Sequence, residues 1–177
     1  MGSEMCIRDR ATDVLEDGRF DLEITTLRRS GPDVRWHPLL KEPLSLAVPR
    51  AHRLADRTEI DLSEVAEEPF VTFRPASLLR RTGIELCEKA GFTPTIAFEG
   101  DDVPTVRGFV AAGLGVGVVP ALGRSVPTDL GPVRLIPLRD NDARREVGIA
   151  WLSERRLLPA ADLMRRFALA EAGRRGA

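Results

Sequence analysis

The sequence predicts an α/β fold in which helices and strands alternate and strand pairing is substantially parallel. The first observation behind this prediction is the alternation itself, because short apolar segments of strand type are followed across short connections by amphipathic segments of helix type. The second is the composition, since 43% apolar and 30% charged residues in a chain of 177 are typical of a globular protein. The third is that Gly, Pro and helix-capping residues stand at the borders of these segments.

The charge balance, the apolar runs and the cysteines exclude several classes of protein. A total of 26 Lys and Arg against 27 Asp and Glu gives a formal net charge of −1, so the whole chain has no electrostatic footprint for nucleic acid or an anionic membrane. No apolar stretch approaches the roughly 20 residues of a spanning helix. Cys6 and Cys87 provide neither a disulfide framework nor metal-ligand spacing. We therefore expect a soluble cytoplasmic protein that needs no metal and no cofactor.

The first ten residues, MGSEMCIRDR, differ from the rest of the chain. They have neither helical nor strand periodicity, and no apolar region follows Met1 as it would in a signal peptide. We expect residues 1–10 to be a non-native or mispredicted leader and residues 11–177 to form the domain. Cys87 is then the one cysteine of the expected domain.

The first half of the domain predicts strands, turns and one short helix. Gly18 follows the tail of a helix at residues 11–16 and can adopt the left-handed conformation that ends a helix. Asp61 precedes the short helix, and Glu64 stands three residues later, which is the spacing of a capping box. Strands are predicted at residues 21–26, 34–40, 43–48 and 70–73, a turn at residues 30–33 and the short helix at residues 61–66.

The clearest helix is predicted at residues 77–90. Ser77 is a natural N-cap, because its hydroxyl can accept a hydrogen bond from an unpaired N–H of the first turn. Gly91 supplies the residue that ends the helix. The apolar face of this helix consists of Leu79, Gly83, Leu86, Cys87 and Ala90.

A second helix begins after Asp101 or Asp102, either of which can cap it, and Pro104 suits its first turn. Gly113 ends this helix, whose apolar face carries Val106, Phe109 and Val110. The remaining predicted elements are strands at residues 95–98, 116–119, 134–137 and 147–151 and a closing amphipathic helix at residues 159–172.

No set of side chains predicts catalysis. His37 lies in a predicted strand and His52 in a turn, and each is better explained as a packed or surface residue than as a catalytic base. Cys87 falls on an apolar helix face, which favours core packing. Asp101 and Asp102 are better explained as helix caps than as a catalytic pair of carboxylates.

Three glycines at positions 113, 115 and 117 suggest at first a nucleotide-binding loop. They lie before and within a predicted strand, whereas a dinucleotide fingerprint requires them between a strand and a helix. We therefore exclude this interpretation, and the sequence carries no enzyme signature.

Two helix starts favour a binding function instead. The helices that begin at Ser77 and at Asp101 or Asp102 each follow a strand and a loop, and helix N-termini attract carboxylates and other small anions. Arg74 lies in the loop before Ser77 and is favoured as a contact to such an anion. Arg80 and Arg81 could equally belong to the site or to a solvated helix face.

Segments of the chain resemble LysR-type transcriptional regulators. Residues 18–24 (GRFDLEI) are similar to that family's Gly-x-x-Asp-Leu-Ala-Ile strand, and residues 42–55 resemble its strand-Pro-x-x-His-x-Leu-Ala segment. Residues 61–73 are similar to its short helix that leads into a strand before the effector loop. The strongest match is at residues 105–120 (TVRGFVAAGLGVGVVP), which resemble its helix-Gly-x-Gly-strand-Pro segment. The motifs stand in the family's order and extend from residue 14 to about residue 151.

The resemblance implies the effector-binding domain of this family, a two-lobed fold of the periplasmic-binding-protein type 2 with two crossover strands. Lobe one would comprise residues 11–43 and 121–177, and lobe two residues 44–120. A small effector, such as an organic acid or an amino-acid-like molecule, would bind in the interlobe cleft. By position, the residues lining that cleft would be Thr25, Thr26, Arg74, Pro75, Ala76, Ser77, Asp101, Asp102, Val103, Pro120 and Leu122.

The sequence also departs from the family's pattern. Nothing matches its N-terminal winged helix-turn-helix and linker helix, or the strand-helix-strand that normally opens its effector-binding domain, so we expect lobe one to be incomplete with an unpaired strand edge. DNA would then be bound only through an absent N-terminal domain, and the full-length regulator would be a homo-oligomer without a membrane partner. The alternatives are a stand-alone solute-binding protein of the same fold and an enzyme built on it, because fold does not fix function.

Overall fold

Strands and helices alternate along the chain in the computed structural model, which describes residues 15, 18–26, 28, 32–121 and 129–175. The chain divides into two compact units, which we call unit 1 (Met1–Lys41 and Arg145–Ala177) and unit 2 (Glu42–Arg144). A short 3₁₀ helix spans Leu62–Val65. The other elements are the strands β1 (Glu23–Thr25), β2 (Val34–Pro49), β3 (Pro69–Phe73), β4 (Thr95–Gly100), β5 (Gly117–Pro120), β6 (Asp129–Leu130), β7 (Val133–Pro137) and β8 (Arg144–Leu152), and the helices α1 (Leu78–Lys89), α2 (Val103–Ala111) and α3 (Pro159–Arg175).

Unit 1 is built on a small sheet with α3 as its helix. Strand β1 pairs antiparallel with β8, with Thr25 opposite Gly148, and β8 is also hydrogen-bonded to β2. Among the described residues of this unit, few hydrophobic side chains are buried, namely Leu15, Ile149, Ala150 and Ala168. Larger ones remain exposed, namely Phe20, Ile24, Leu40, Leu158, Leu163, Met164 and Phe167.

Unit 2 contains most of the buried core. The second half of β2 pairs antiparallel with β5 on one side and with β7 on the other, and β6 and β7 form a hairpin. Strands β3 and β4 pair in parallel. Helix α1 contributes Leu86 and Cys87 to one apolar cluster, and helix α2 contributes Val106 and Val110 to a second. The two helices therefore hold the β3–β4 layer against the strands around β2.

The predicted parallel pairing holds for β3 and β4 but is wrong for most of the other strands. The pairs β1/β8, β2/β5, β2/β7 and β6/β7 are antiparallel. Alternation of helices and strands does not determine on which side, or in which direction, a later strand joins an earlier one. For β6 and β7 the connection consists of Gly131 and Pro132, and such a short connection can only reverse the chain.

Strand β2 is longer than the sequence predicts. The predicted strands at residues 34–40 and 43–48 are one strand, since extended backbone continues through Lys41 and Glu42. The exposed Lys41 ammonium faces the Glu146 carboxylate of β8 at 3.8 Å, so the charged residues that suggested a break lie on the surface of a continuous strand. Strand β6 was not predicted, because two residues carry no detectable periodicity.

The two units differ from the expected lobes at one boundary. The first boundary, between Lys41 and Glu42, lies close to the expected one at residue 43. The second lies between Arg144 and Arg145, whereas lobe one was expected to resume at residue 121. Residues up to 144 belong to unit 2 because β7 pairs with the segment of β2 from Ser45 to Pro49.

The predicted capping box of the short helix is confirmed, although the helix is of the 3₁₀ type. The Asp61 carboxylate accepts from the Ser63 N–H at 3.1 Å, and the Glu64 carboxylate accepts from the Asp61 N–H at 3.3 Å. These two bonds satisfy backbone donors at the helix start.

Two of the three glycines that resembled a nucleotide loop, Gly115 and Gly117, are required by packing. The Val71 N–H donates to the Val116 carbonyl at 2.7 Å, which draws the start of β5 onto β3. A Cβ on Gly117 would lie 2.6 Å from the Val71 carbonyl oxygen, and one on Gly115 would lie 2.3 Å from the Pro69 carbonyl oxygen. Only a residue without a side chain fits this approach, which agrees with the exclusion of a nucleotide site.

Candidate functional site

The loops that follow β3 and β4 lie side by side. In this parallel pair Phe73 is opposite Gly100, so Arg74 and Asp101 are the first residues beyond the carboxyl ends of the two strands. The Arg74 N–H donates to the Gly100 carbonyl at 3.2 Å, and the Arg74 guanidinium pairs with the Asp101 carboxylate, with Nη2 and Oδ2 at 3.1 Å. The structure thus brings together the predicted segments at residues 74–77 and 101–103.

Helix α1 begins at this place without a side-chain cap. Ser77 has the extended conformation of an N-cap, and its N–H donates to the Arg74 carbonyl at 2.9 Å. The predicted hydrogen bond, in which its hydroxyl accepts from a first-turn N–H, is absent. Pro75 and Ala76 are exposed beside it. The first-turn N–H groups of α1 are therefore not capped by this serine.

Helix α2, in contrast, is capped by its own carboxylate. Asp102, rather than Asp101, is the N-cap, and its Oδ1 accepts from the Thr105 N–H at 2.7 Å. These hydrogen bonds from Thr105 hold the pKa of Asp102 below its ordinary value. Val103 packs toward the core at the first position of the helix. Of the two predicted anion-binding helix starts, the one at α2 is thus filled by an internal anion.

The cap makes the stability of α2 dependent on pH. Because the folded-state pKa of Asp102 is lowered, its contribution is fully present above the unfolded-state pKa and is lost as the pH falls through the folded-state value. We expect Asp102→Ala to lower the melting temperature near neutral pH, with a difference that shrinks below about pH 4. Asp102→Asn keeps an acceptor and should lose less. Circular dichroism melts of the three proteins over a pH series test this, and equal melting temperatures at neutral pH would contradict it.

Arg80 and Arg81, for which the sequence left both interpretations open, have partners within the fold. Arg80 Nη1 donates to the Phe73 carbonyl at 3.0 Å and also pairs with Glu99. The Arg80 guanidinium therefore connects the ends of β3 and β4. Arg81 is exposed and faces Glu85 on the next turn of α1 at 3.8 Å, an arrangement typical of a solvated helix face.

The other predicted residues lie elsewhere in the chain. Pro120 is buried at the end of β5, and its carbonyl accepts from Arg107 Nη2 at 3.2 Å. Thr25 ends β1 and Thr26 follows it, so both belong to unit 1. Leu122 lies outside the described residues.

Arg107 was missed by the sequence analysis. Its Nε–H is buried and has no acceptor in the described part of the chain, and burial lowers the pKa of its guanidinium, an effect that Glu42 partly offsets. It lies one turn into α2, between Val106 and Val110 of the buried face. No pattern distinguishes such a cation from a surface arginine, because its burial depends on where β5 ends.

The two histidines are in contact with neighbouring groups of the fold. His52 Nε2 is 2.6 Å from Glu68 Oε2, and its Nδ1 accepts from the Leu54 N–H at 3.2 Å, which fixes the turn. His37 is exposed, with Nδ1 2.8 Å from the Pro38 carbonyl oxygen. In the described part of the chain, no group of three or more His, Cys, Asp or Glu side chains could hold a metal ion.

A cavity of unit 2 is lined by none of these loop residues. It measures about 150 Å³ and lies where the end of α1 meets the 3₁₀ helix, with Lys89 and Asp140 at its rim. The Lys89 ammonium is 2.9 Å from the Asp140 carboxylate and 3.1 Å from that of Asp142. These contacts raise the pKa of Lys89 and lower that of Asp140. The charged groups at the rim of the cavity are therefore already paired with each other.

Cys87 is built into the core, as predicted from its place on the helix face. The residue is 1% exposed, and burial raises the pKa of its thiol to about 12. Since the thiolate is the reactive form, we expect Cys87 to resist hydrogen peroxide and disulfide reagents near neutral pH in the native protein and to react after unfolding. Thiol titration of a Cys6→Ser variant, with and without urea, measures this. Reaction of the native variant at the rate of a free thiol would refute it.

None of the described helices has both the length and the apolar character that crossing a membrane requires.

Comparison with known proteins identifies the family. A model of the LysR substrate binding domain matches residues 4–173, which includes most of the segment expected to lie outside the domain. The uncharacterised HTH-type transcriptional regulator YybE of Bacillus subtilis is 36% identical over 155 residues, which are 88% of this chain and 52% of that protein. The chain thus spans about half the length of this curated relative.

Solved structures agree with this assignment. The effector-binding domain of QuiR, solved in complex with shikimate, superposes with a TM-score of 0.80 at 24% identity and covers 93% of this chain and 77% of that one. The C-terminal domain of a probable LysR family regulator from Rhodococcus sp. RHA1 gives a TM-score of 0.77 at 26% identity, covering 92% and 80%. The predicted periplasmic-binding-protein-like fold is thereby confirmed. The chain therefore belongs to the LysR substrate-binding-domain family, whose members are effector-binding domains of transcriptional regulators rather than enzymes.

Proposed function

We propose that this chain is the ligand-sensing part of a bacterial, cytoplasmic LysR-type regulator and that its effector is a small organic acid. The complete regulator would bind DNA through a separate N-terminal domain and would act as a homo-oligomer. The sensing site comprises the loops at residues 74–77 and 101–103, together with Thr25, Thr26, Pro120 and Leu122 as the family resemblance implies.

The observation that carries this proposal is the meeting of two loops at the carboxyl ends of β3 and β4. Ligands of open α/β sheets bind outside the carboxyl ends of their strands. Here Arg74 follows β3 and Asp101 follows β4, and both side chains are about two-thirds exposed. Helix α1 starts beside them without a side-chain cap, so its first-turn N–H groups favour an anion.

The proposed mechanism is a shift of populations. An effector that binds one arrangement of the domain more tightly than another moves the equilibrium by that difference in affinity and no further. In the complete regulator this shift would change the geometry of the DNA-bound oligomer. Helix α2 is a suitable element for such a response, because it begins in the site at Asp102 and holds the Pro120 carbonyl through Arg107.

Ligand titrations of the full chain test the proposed function. Shikimate, which the solved QuiR domain holds, is the first probe, followed by a panel of other small carboxylic acids, each compared with its methyl ester. We expect at least one acid to raise the melting temperature and to bind in calorimetry, with its ester binding more weakly. A panel in which no acid binds would refute the proposal.

The contribution of Arg74 is tested by substitution. We expect Arg74→Ala to weaken binding of the stabilising acid about tenfold or more, since charge-assisted hydrogen bonds are among the strongest polar contacts. The matched control is Arg81→Ala, which removes an exposed arginine of the neighbouring helix with only Glu85 opposite. Equal affinity of wild type and Arg74→Ala would remove Arg74 from the site without refuting the binding function.

A further inference from the structure

Arg28 of unit 1 is stacked on an aromatic ring. Its Cζ lies 5.7 Å from the centroid of the Trp36 indole, and the arginine is exposed. It follows Thr26 by two residues, so it lies next in sequence to the predicted effector contacts of unit 1. No motif of the sequence points to this arginine.

The indole and Thr25 occupy the same face of the unit 1 sheet. Thr25 is opposite Gly148 in the β1–β8 pair, and directly opposed residues point to the same face. A Cβ on Gly148 would lie 2.3 Å from the Trp36 ring, so the ring occupies the space that a side chain on Gly148 would need. The indole therefore lies over β8 on the face that carries Thr25, and it is this ring that Arg28 contacts.

Arg28 has no carboxylate partner among the described residues, in contrast to two arginines of unit 2 near predicted site residues. Arg74 pairs with Asp101 and Arg80 pairs with Glu99. Arg165 provides a close comparison, because it stacks on Trp151 at 5.3 Å and is also held by Asp162 at 2.6 Å.

A guanidinium stacked on an aromatic face keeps its N–H donors in the plane of the group, available for a carboxylate. The Trp36 Nε1–H beneath Arg28 is itself buried and has no acceptor among the residues that the structure describes, which is unusual for a buried donor. The exposed guanidinium of Arg28 carries both N–H donors and a positive charge. This part of unit 1 consequently favours an oxygen-rich anion over a cation or an apolar ligand.

We propose that Arg28, held in place by Trp36, is the residue of unit 1 that binds the effector's carboxylate and selects acids over neutral analogues. The inference rests on the proposed sensing function and deepens it by naming the group that recognises the charge. It assigns this role to a guanidinium that has no carboxylate partner within the described part of the chain, whereas that of Arg74 is already engaged by Asp101.

The test compares charge selectivity among matched variants of the full chain. Shikimate and its methyl ester are titrated calorimetrically into wild type, Arg28→Ala, Arg28→Lys and Arg165→Ala. We expect Arg28→Ala to bind shikimate about ten- to a hundredfold more weakly while its affinity for the ester changes little. Arg28→Lys should have an intermediate affinity for shikimate, because lysine keeps the positive charge but lacks the paired N–H donors of a guanidinium. Arg165→Ala should bind shikimate as wild type does.

A second measurement does not depend on shikimate being bound. In a Trp151→Phe background the emission of Trp36 is followed during titration with acetate and with inorganic phosphate. A saturable change that disappears in Arg28→Ala supports the proposal, and no change with either anion overturns it.

If shikimate binds wild type and Arg28→Ala equally, Arg28 is not the carboxylate-binding residue, although the sensing function stands. Failure of every acid in the panel would instead refute the sensing function.

Discussion

Replacing Gly117 with alanine is expected to destabilise unit 2 by about 3 kcal/mol or more, at the upper end of the cost of overpacking a core. The added Cβ would lie 2.6 Å from the Val71 carbonyl oxygen. Neither strand can move away easily, because the Val71 N–H is bonded to Val116 at 2.7 Å and Val119 is fully buried on the same strand. The cost is steric, since the new Cβ meets a backbone oxygen and neither atom can rotate away.

Gly108 provides the matched control for this substitution. It lies in α2, and a Cβ there would meet nothing within 4 Å. Gly108→Ala should therefore stabilise the protein by about 0.5–1 kcal/mol, because alanine favours the helix. Urea unfolding followed by far-ultraviolet circular dichroism compares the two variants with wild type. Unfolding of Gly117→Ala at the urea concentration of wild type would contradict the predicted close approach of β5 to β3.

Replacing Gly148 with alanine is expected to have the largest effect in unit 1. The new Cβ would lie 2.3 Å from the Trp36 ring, so the indole must leave its place over β8. We expect a loss of about 1–3 kcal/mol together with a changed Trp36 environment and the loss of the Arg28 stacking.

A double-mutant cycle separates this clash from a general weakness of the strand. Trp36→Ala alone removes packing, but it also creates the room that Gly148→Ala needs. The combined variant should therefore be more stable than the sum of the two single losses predicts. Strictly additive losses would show that the ring does not occupy the space beside Gly148.

The features of the fold that were predicted from the sequence are local ones. The capping box of Asp61 and Glu64 and the cap of α2 at Asp102 depend on residues within one turn of each other, and both are found. The direction in which β5 and β7 join β2 depends on contacts between distant segments. The continuity of β2 through Lys41 and Glu42 likewise depends on a neighbouring strand, so a local pattern could not reveal it.

For the candidate site, too, the local features could be predicted from the sequence and the contacts between distant segments could not. Helix starts after β3 and β4 could be predicted, and the loops that carry Arg74 and Asp101 do lie together. Geometry across two strands decides that these two side chains pair with each other. It also decides that the Ser77 hydroxyl leaves its helix uncapped. The position of Arg28 depends on Trp36 and Gly148 from two further strands, which no motif connects.

The distribution of aromatic residues determines what optical methods can observe in this protein. The sequence contains two tryptophans and no tyrosine. Trp36 and Trp151 both belong to unit 1, so intrinsic fluorescence excited through tryptophan reports on that unit alone. Unit 2 is observed mainly through the far-ultraviolet circular dichroism of its backbone. Denaturation followed by the two signals in parallel therefore asks directly whether the units unfold as one cooperative system, because coincident transitions are required for two-state behaviour.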